Sequence, residues 1–167
     1  EYGNYNADLT RSVPVNGRFT KRQKDVYNAV LRVMKYAKTM LRPGTIPLEY
    51  TKEVGLAMEN ELIDLGLLEA AAVKKQDPDN PLYKKYFMHG TSHYLGLDVH
   101  DVGFRYAPFE AGMVFTCEPG IYIPEESLGI RLENDILITK EGPLDLMQSI
   151  PLEAEEIEDI MQSNQRK

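Results

Sequence analysis

The three histidines of this chain all fall within one stretch of twelve residues, as His89, His93 and His100. A spacing of four places His89 and His93 on one face of a helix, as helical zinc sites require. Gly90, Gly96 and the β-branched Thr91 and Val99 disfavour a helix there. The stretch reads as a loop feeding a strand, presenting the histidines singly, one as a ligand and the others lining a pocket. Two carboxylates stand out downstream. Glu118 ends an apolar run and precedes Pro119-Gly120, which reads as a turn. Glu133 alternates with Arg131 and Asp135 along one strand face, opposite Ile130, Leu132 and Ile136. Asp8 lies in a short extended run near the start. Taken singly, each acid has solvent as its ordinary environment. Together they offer one imidazole and three carboxylates on separate strands, a donor set suited to Mn²⁺, Co²⁺, Fe²⁺ or Zn²⁺. Carboxylates bridge two cations about 3.5–4 Å apart in two-metal hydrolases. The residues by themselves lead as far as a metallohydrolase.

The elements that must hold these groups follow from hydrophobic periodicity. Residues 2–19 alternate with a period of two: Tyr5, Ala7, Leu9, Arg11, Val13 and Val15 share one face, and Asp8, Thr10 and Ser12 the other. Gly3-Asn4 and Asn16-Gly17 break the run as turns. Val26, Val30, Val33, Met34, Ala37 and Leu41 predict a helix from Thr20 to about Leu41, stopped by Arg42-Pro43-Gly44. Val54, Met58, Leu62 and Leu65 mark a second helix over about 51–65, and a third, short one covers about 68–75. Residues 77–81 read as a surface loop. From Phe87 onward glycines punctuate short apolar stretches, and strands are expected over 113–117, 129–139 and 144–147. Leu152 to Gln162 closes the chain as a helix with acidic residues in its first turns. Strands, helices and strands again describe one α+β unit with an antiparallel sheet.

Composition narrows the partners. The 167 residues are 43% hydrophobic and 27% charged, ordinary for a globular protein with a real core. A net charge of −7 leaves no basic excess for nucleic acid. No apolar run nears the roughly 20 residues needed to cross a membrane, and no signal peptide is visible. Cys117 is the only cysteine, so neither an intrachain disulfide nor a thiolate zinc cage can form. It reads as a small buried residue, compatible with a cytoplasmic setting.

The run from His89 through His93 to His100-Asp101, then Glu118-Pro119-Gly120-Ile121-Tyr122, then Arg131-Leu132-Glu133-Asn134, resembles the aminopeptidase P family. These are Xaa-Pro aminopeptidases with the pita-bread fold, related to prolidase and methionine aminopeptidase. The opening residues through Asp8-Leu9-Thr10-Arg11 resemble the family's metal-binding hairpin, and the similarity covers nearly the whole chain. The resemblance implies a mostly antiparallel mixed sheet with helices on its outer face. It implies two divalent cations in the parent protein, manganese first among Mn, Co, Fe and Zn. Asp8 and Glu133 match the two bridging carboxylates, and His93 the only histidine ligand. Glu118 matches a ligand that is also the general base. His89 and His100 match pocket histidines that contact substrate and stabilise the tetrahedral intermediate. Arg131 and Tyr122 match positions surrounding the metals and Glu118. The implied reaction removes the N-terminal residue from a peptide whose second residue is proline.

The family pattern also has an aspartate four positions before Glu1. The expectation is therefore a C-terminal portion, residues 1–167, of a pita-bread metallopeptidase domain, cut as a processed product or a truncation. Such a piece is expected to bind one cation or none, to be weakly active or inactive, and to expose surface otherwise covered by the missing part, which leaves a homo-oligomer open without making it physiological. The alternatives are a prolidase-type dipeptidase and a non-catalytic pita-bread binding module.

Overall fold

The computed structural model describes residues 1–164. Helix α1 spans Lys21–Met40. Its start is set by a capping box: Thr20 Oγ1 accepts from the Gln23 amide, and Gln23 Oε1 accepts from the Thr20 amide. Val26, Val30, Val33, Met34 and Ala37 form its buried stripe. Helix α2 spans Pro47–Asp64, beginning ahead of the expected Thr51 because proline is well suited to the first helical position. Val54, Met58 and Leu62 bury its inner face against α1. The expected third helix shrinks to one turn, α3, Ala70–Val73. None of its residues is buried, so no packing supports a longer helix that local propensity alone would leave marginal.

Five strands follow: β1 Val114–Cys117, β2 Gly120–Ile123, β3 Leu128–Arg131, β4 Asn134–Ile138 and β5 Pro143–Asp145. All pairings among them are antiparallel. They form a three-stranded sheet in the order β1-β4-β5 and a separate β2-β3 hairpin. Helix α1 contacts β1, β2, β3 and β5, so it braces both sheets. Helix α4, Ala154–Asn164, packs on α1 through Ala154 and Ile157. Among the described residues no helix is long and apolar enough to cross a membrane.

Two expectations are corrected. The single strand over 129–139 is broken at Leu132-Glu133, and Pro119-Gly120 is no turn but the entry to β2. These breaks face each other, with the Leu132 amide donating to Pro119 O at 3.3 Å. Here both stretches of the chain pass from one sheet to the other. Proline cannot donate to a ladder, so Pro119 belongs at such a break.

The opening segment holds no named strand. It is irregular, with turns at Gly3-Asn4 and Gly17 where φ is positive, and it touches the sheet by an isolated bridge from Thr10 to Glu133. Its alternation is real, but it is the polar face that turns inward. The Asp8 amide, Thr10 Oγ1 and Ser12 Oγ all bond to β3, β4 or the break between them. Leu9, Val13 and Val15 are exposed.

Candidate metal centre

A second irregular segment flanks β1. The Leu95 amide donates to Val114 O, the Thr116 amide to His93 O, and the Glu118 amide to Thr91 O at 2.8 Å. Residues 91–95 thus run beside β1 as the sequence expects of a loop feeding a strand. They carry His93 to the same end of the sheet as Glu118, where β4 begins and residues 8–10 cross. One histidine and several acids from four separated pieces of chain meet there.

Asp8, His93 and Glu133 each offer a ligand atom, and the three atoms lie within 4.8 Å of one another. His93 Nδ1 donates to Tyr94 O at 2.9 Å, which leaves Nε2 to face the acids. Nε2 stands 3.7 Å from Asp8 Oδ2 and 3.4 Å from Glu118 Oε1. Glu118, the fourth expected ligand, falls outside the mutually close trio and joins through His93. Burial pushes the Glu118 carboxyl up to about 7, and the charge of Glu133 adds to this while His93 opposes it.

The other expected residues lie around this cluster. The exposed His100 ring stacks edge-on against His93 with centroids 4.3 Å apart. His89 Nδ1 donates to Gly90 O, and its Nε2 accepts from Tyr122 Oη at 2.8 Å. Burial raises the pKa of the Tyr122 phenol, and the positive charge of Arg131 partly offsets this. Gly120 makes room for that phenol: a Cβ there would sit 2.7 Å from Tyr122 Oη.

Three residues were given no role by the sequence reading. Thr116, fully buried on β1, accepts from the His93 amide and donates to Glu118 Oε1. Thr10 donates its hydroxyl to Glu133 Oε2. Asp135 is 3% exposed, and its Oδ2 accepts from the Asp8 amide at 3.1 Å. Burial pushes its carboxyl up to about 6. Solvent, the ordinary environment for the face of Arg131, Glu133 and Asp135, holds only for Arg131; Glu133 is 2% exposed. The signal for Asp135 was its two-residue offset from Glu133. Thr116 and Thr10 left none, because a threonine in a strand is unremarkable.

The donor set suits a divalent cation. A free imidazole nitrogen and several carboxylates converge, two carboxyls are held above their usual range, and Asp135 Oδ1 is buried with no hydrogen-bond partner. Positive charge is what this crowd of acids lacks.

The sequence model of metallopeptidase family M24 matches residues 1–140. The chain belongs to metallopeptidase family M24. Divalent metal chemistry comes with membership of M24. Among its M24 relatives, Xaa-Pro aminopeptidase of Escherichia coli is 44% identical over 177 residues, covering 96% of this chain and 39% of the relative. Xaa-Pro aminopeptidase 3 of Homo sapiens is 40% identical over 171 residues, covering 93% and 32%. The solved structure of zinc-substituted E. coli aminopeptidase P in complex with product superposes with a TM-score of 0.85 at 42% identity, over 98% of this chain and 39% of that one. The fold is therefore the pita-bread fold of M24. The chain spans 39% of the length of the E. coli relative and 32% of the human one.

Proposed function

We propose that this chain supplies the metal-binding part of a Xaa-Pro aminopeptidase, an exopeptidase that releases the N-terminal residue of a peptide with proline in second place. The observation that carries the reading is the meeting of Asp8, His93 and Glu133 within 4.8 Å, with Glu118 3.4 Å from His93. The names of the relatives support the substrate class.

Asp8, His93, Glu118 and Glu133 would hold one cation, and Asp8 and Glu133 would share a second. Manganese is the first choice, with cobalt, iron and zinc as alternatives. Such cations lower the pKa of water and polarise a carbonyl. Glu118 takes the proton from water and returns it to the departing proline nitrogen, and its half-buried position near neutral pKa suits both directions. His100, exposed beside His93, donates to the oxyanion as it develops. His89 is oriented by Tyr122, whose phenol feels the charge of Arg131, to contact the peptide. We place the reaction in the cytoplasm, where the buried free thiol of Cys117 is stable.

Calorimetric titration of the chelator-stripped chain with Mn²⁺ tests the site. Saturable binding is expected, weakened at least about tenfold by His93→Ala. No binding would remove the metal reading. In a protein carrying the upstream portion that the relatives possess, Mn²⁺-dependent cleavage of a Xaa-Pro-Yaa tripeptide is expected, and Glu118→Gln should lose most of kcat. Near-normal turnover takes the base role from Glu118, and cleavage confined to Xaa-Pro dipeptides makes the protein a prolidase.

A further inference from the structure

The opening segment raises a positional problem. It belongs to no named strand, yet it must hold Asp8 against Glu133 to within a fraction of an ångström for the two to share a cation. Among the described residues, the segment's backbone is held by the Thr10–Glu133 bridge and by the Asn6 amide, which donates to Gly96 O at 2.8 Å. To the bonds of Asp8, Thr10 and Ser12, the Arg11 side chain adds three that reach outside the segment. Arg11 Nη1 donates to Thr10 O at 2.9 Å and to Glu133 O at 2.8 Å. Its Nη2 donates to Asn134 Oδ1 at 2.6 Å, and its Nε to Pro151 O at 2.7 Å. A single planar fork thus ties the main chain of Thr10 to the main chain of Glu133.

The hold continues inward. Asn134, 1% exposed, donates Nδ2 to both oxygens of the buried Asp145 at 2.9 Å. Asp145 is paired in turn with Lys38 of α1 at 3.1 Å. Side chains alternate along a strand, so Asn134 projects away from the face shared by Glu133 and Asp135. The relay therefore runs on the back of β4 and anchors the carboxylate end of the sheet to the central helix.

We propose that Arg11, acting through Asn134 and Asp145, is a positioning residue that sets the separation of Asp8 and Glu133 and thereby the affinity for the cation. The inference rests on the metal reading above. Lysine cannot replace the fork, because a point charge does not satisfy four fixed acceptors.

Mn²⁺ titration calorimetry on the whole chain, with thermal melts in chelator beside it, provides the test. Arg11→Ala and Arg11→Lys should each weaken Mn²⁺ binding by about tenfold, the range typical of groups that orient metal ligands. The control is Arg22→Ala. Arg22 is likewise a bonded arginine, with Glu126 and Leu65 O as partners, but it is remote from the acids. Its loss should leave Mn²⁺ affinity unchanged, with at most a small drop in melting temperature. Should Arg11→Ala fail to fold, Arg11→Lys carries the comparison. Losses below about threefold in the folded Arg11 variants, or an equal loss in Arg22→Ala, overturn the positioning role. Absence of Mn²⁺ binding by the unaltered chain instead overturns the metal reading, and the inference with it.

Discussion

On the helix layer, charges stand at the surface in opposite-sign pairs: Arg32 with Glu61 at 2.6 Å, Lys24 with Glu158 at 2.9 Å, Arg22 with Glu126 at 2.7 Å. Beneath them Val30, Met34, Val54, Met58 and Leu62 form a dry interior. At the end of β1 and β4 the arrangement is reversed. Asp8, Glu118, Glu133 and Asp135 crowd around one imidazole, and one carboxylate oxygen is buried without a partner. The first region maximises stability from apolar burial, with exposed ion pairs adding little. The second gives up stability to hold negative charge in place for a cation. The helices and hairpin supply what the acids cost.

This contrast can be broken at either end. The largest effect is expected in the dry layer: Met58→Ala should lower unfolding free energy by about 3 kcal/mol, measured by denaturant titration, and leave the Mn²⁺ affinity of the folded chain unchanged. A comparable loss of affinity would mean that the layers are not separable.

Next comes pH. The folded carboxyls of Glu118 and Asp135 are raised to about 7 and about 6, above their unfolded values. Between the unfolded and folded values the native state binds more protons, so stability must fall as pH rises through that window. Chelator-treated protein should therefore lose on the order of 2 kcal/mol between pH 4.5 and pH 7.5, and saturating Mn²⁺ should restore it at the upper end. Stability that rises over this range would contradict the crowding of acids.

Glu133→Gln sharpens the same point. The amide oxygen can still accept from Thr10, but one buried negative charge is gone. In chelator at pH 8 the variant should be more stable by about 1 kcal/mol, while Mn²⁺ binding is lost. A smaller effect, confined to the helix layer, is expected of Thr20→Ala. Removing the capping box should cost about 1 kcal/mol or less, read as a lower melting temperature with Mn²⁺ binding intact.

Much of this was legible in the chain itself. The stripe from Val26 to Leu41 marked α1 nearly to its ends, because a helix that buries one face must repeat its apolar residues at that period. The clustering of His89, His93 and His100, and the wording around Glu118 and Glu133, pointed to the acids and the imidazole that the fold gathers. Other features were not legible. Residues 2–19 have a strand's alternation, but alternation does not say which face turns inward, and here the polar one does. The stretch 129–139 reads as one strand because nothing local marks the change of sheet at Leu132-Glu133. Thr116, Asp135 and Arg11 matter through partners far away in sequence.

Residue order alone determined the long helices α1 and α2, the closing helix and the kinds of donor available, since these follow from local periodicity and side-chain chemistry. Only the tertiary structure decided that Asp8 and Glu133, more than a hundred residues apart, stand in one cluster with His93, and that Asp135 is buried beside them. Separations of a few ångström between distant segments depend on packing and hydrogen bonds that close once the whole chain has folded, and no local pattern encodes them.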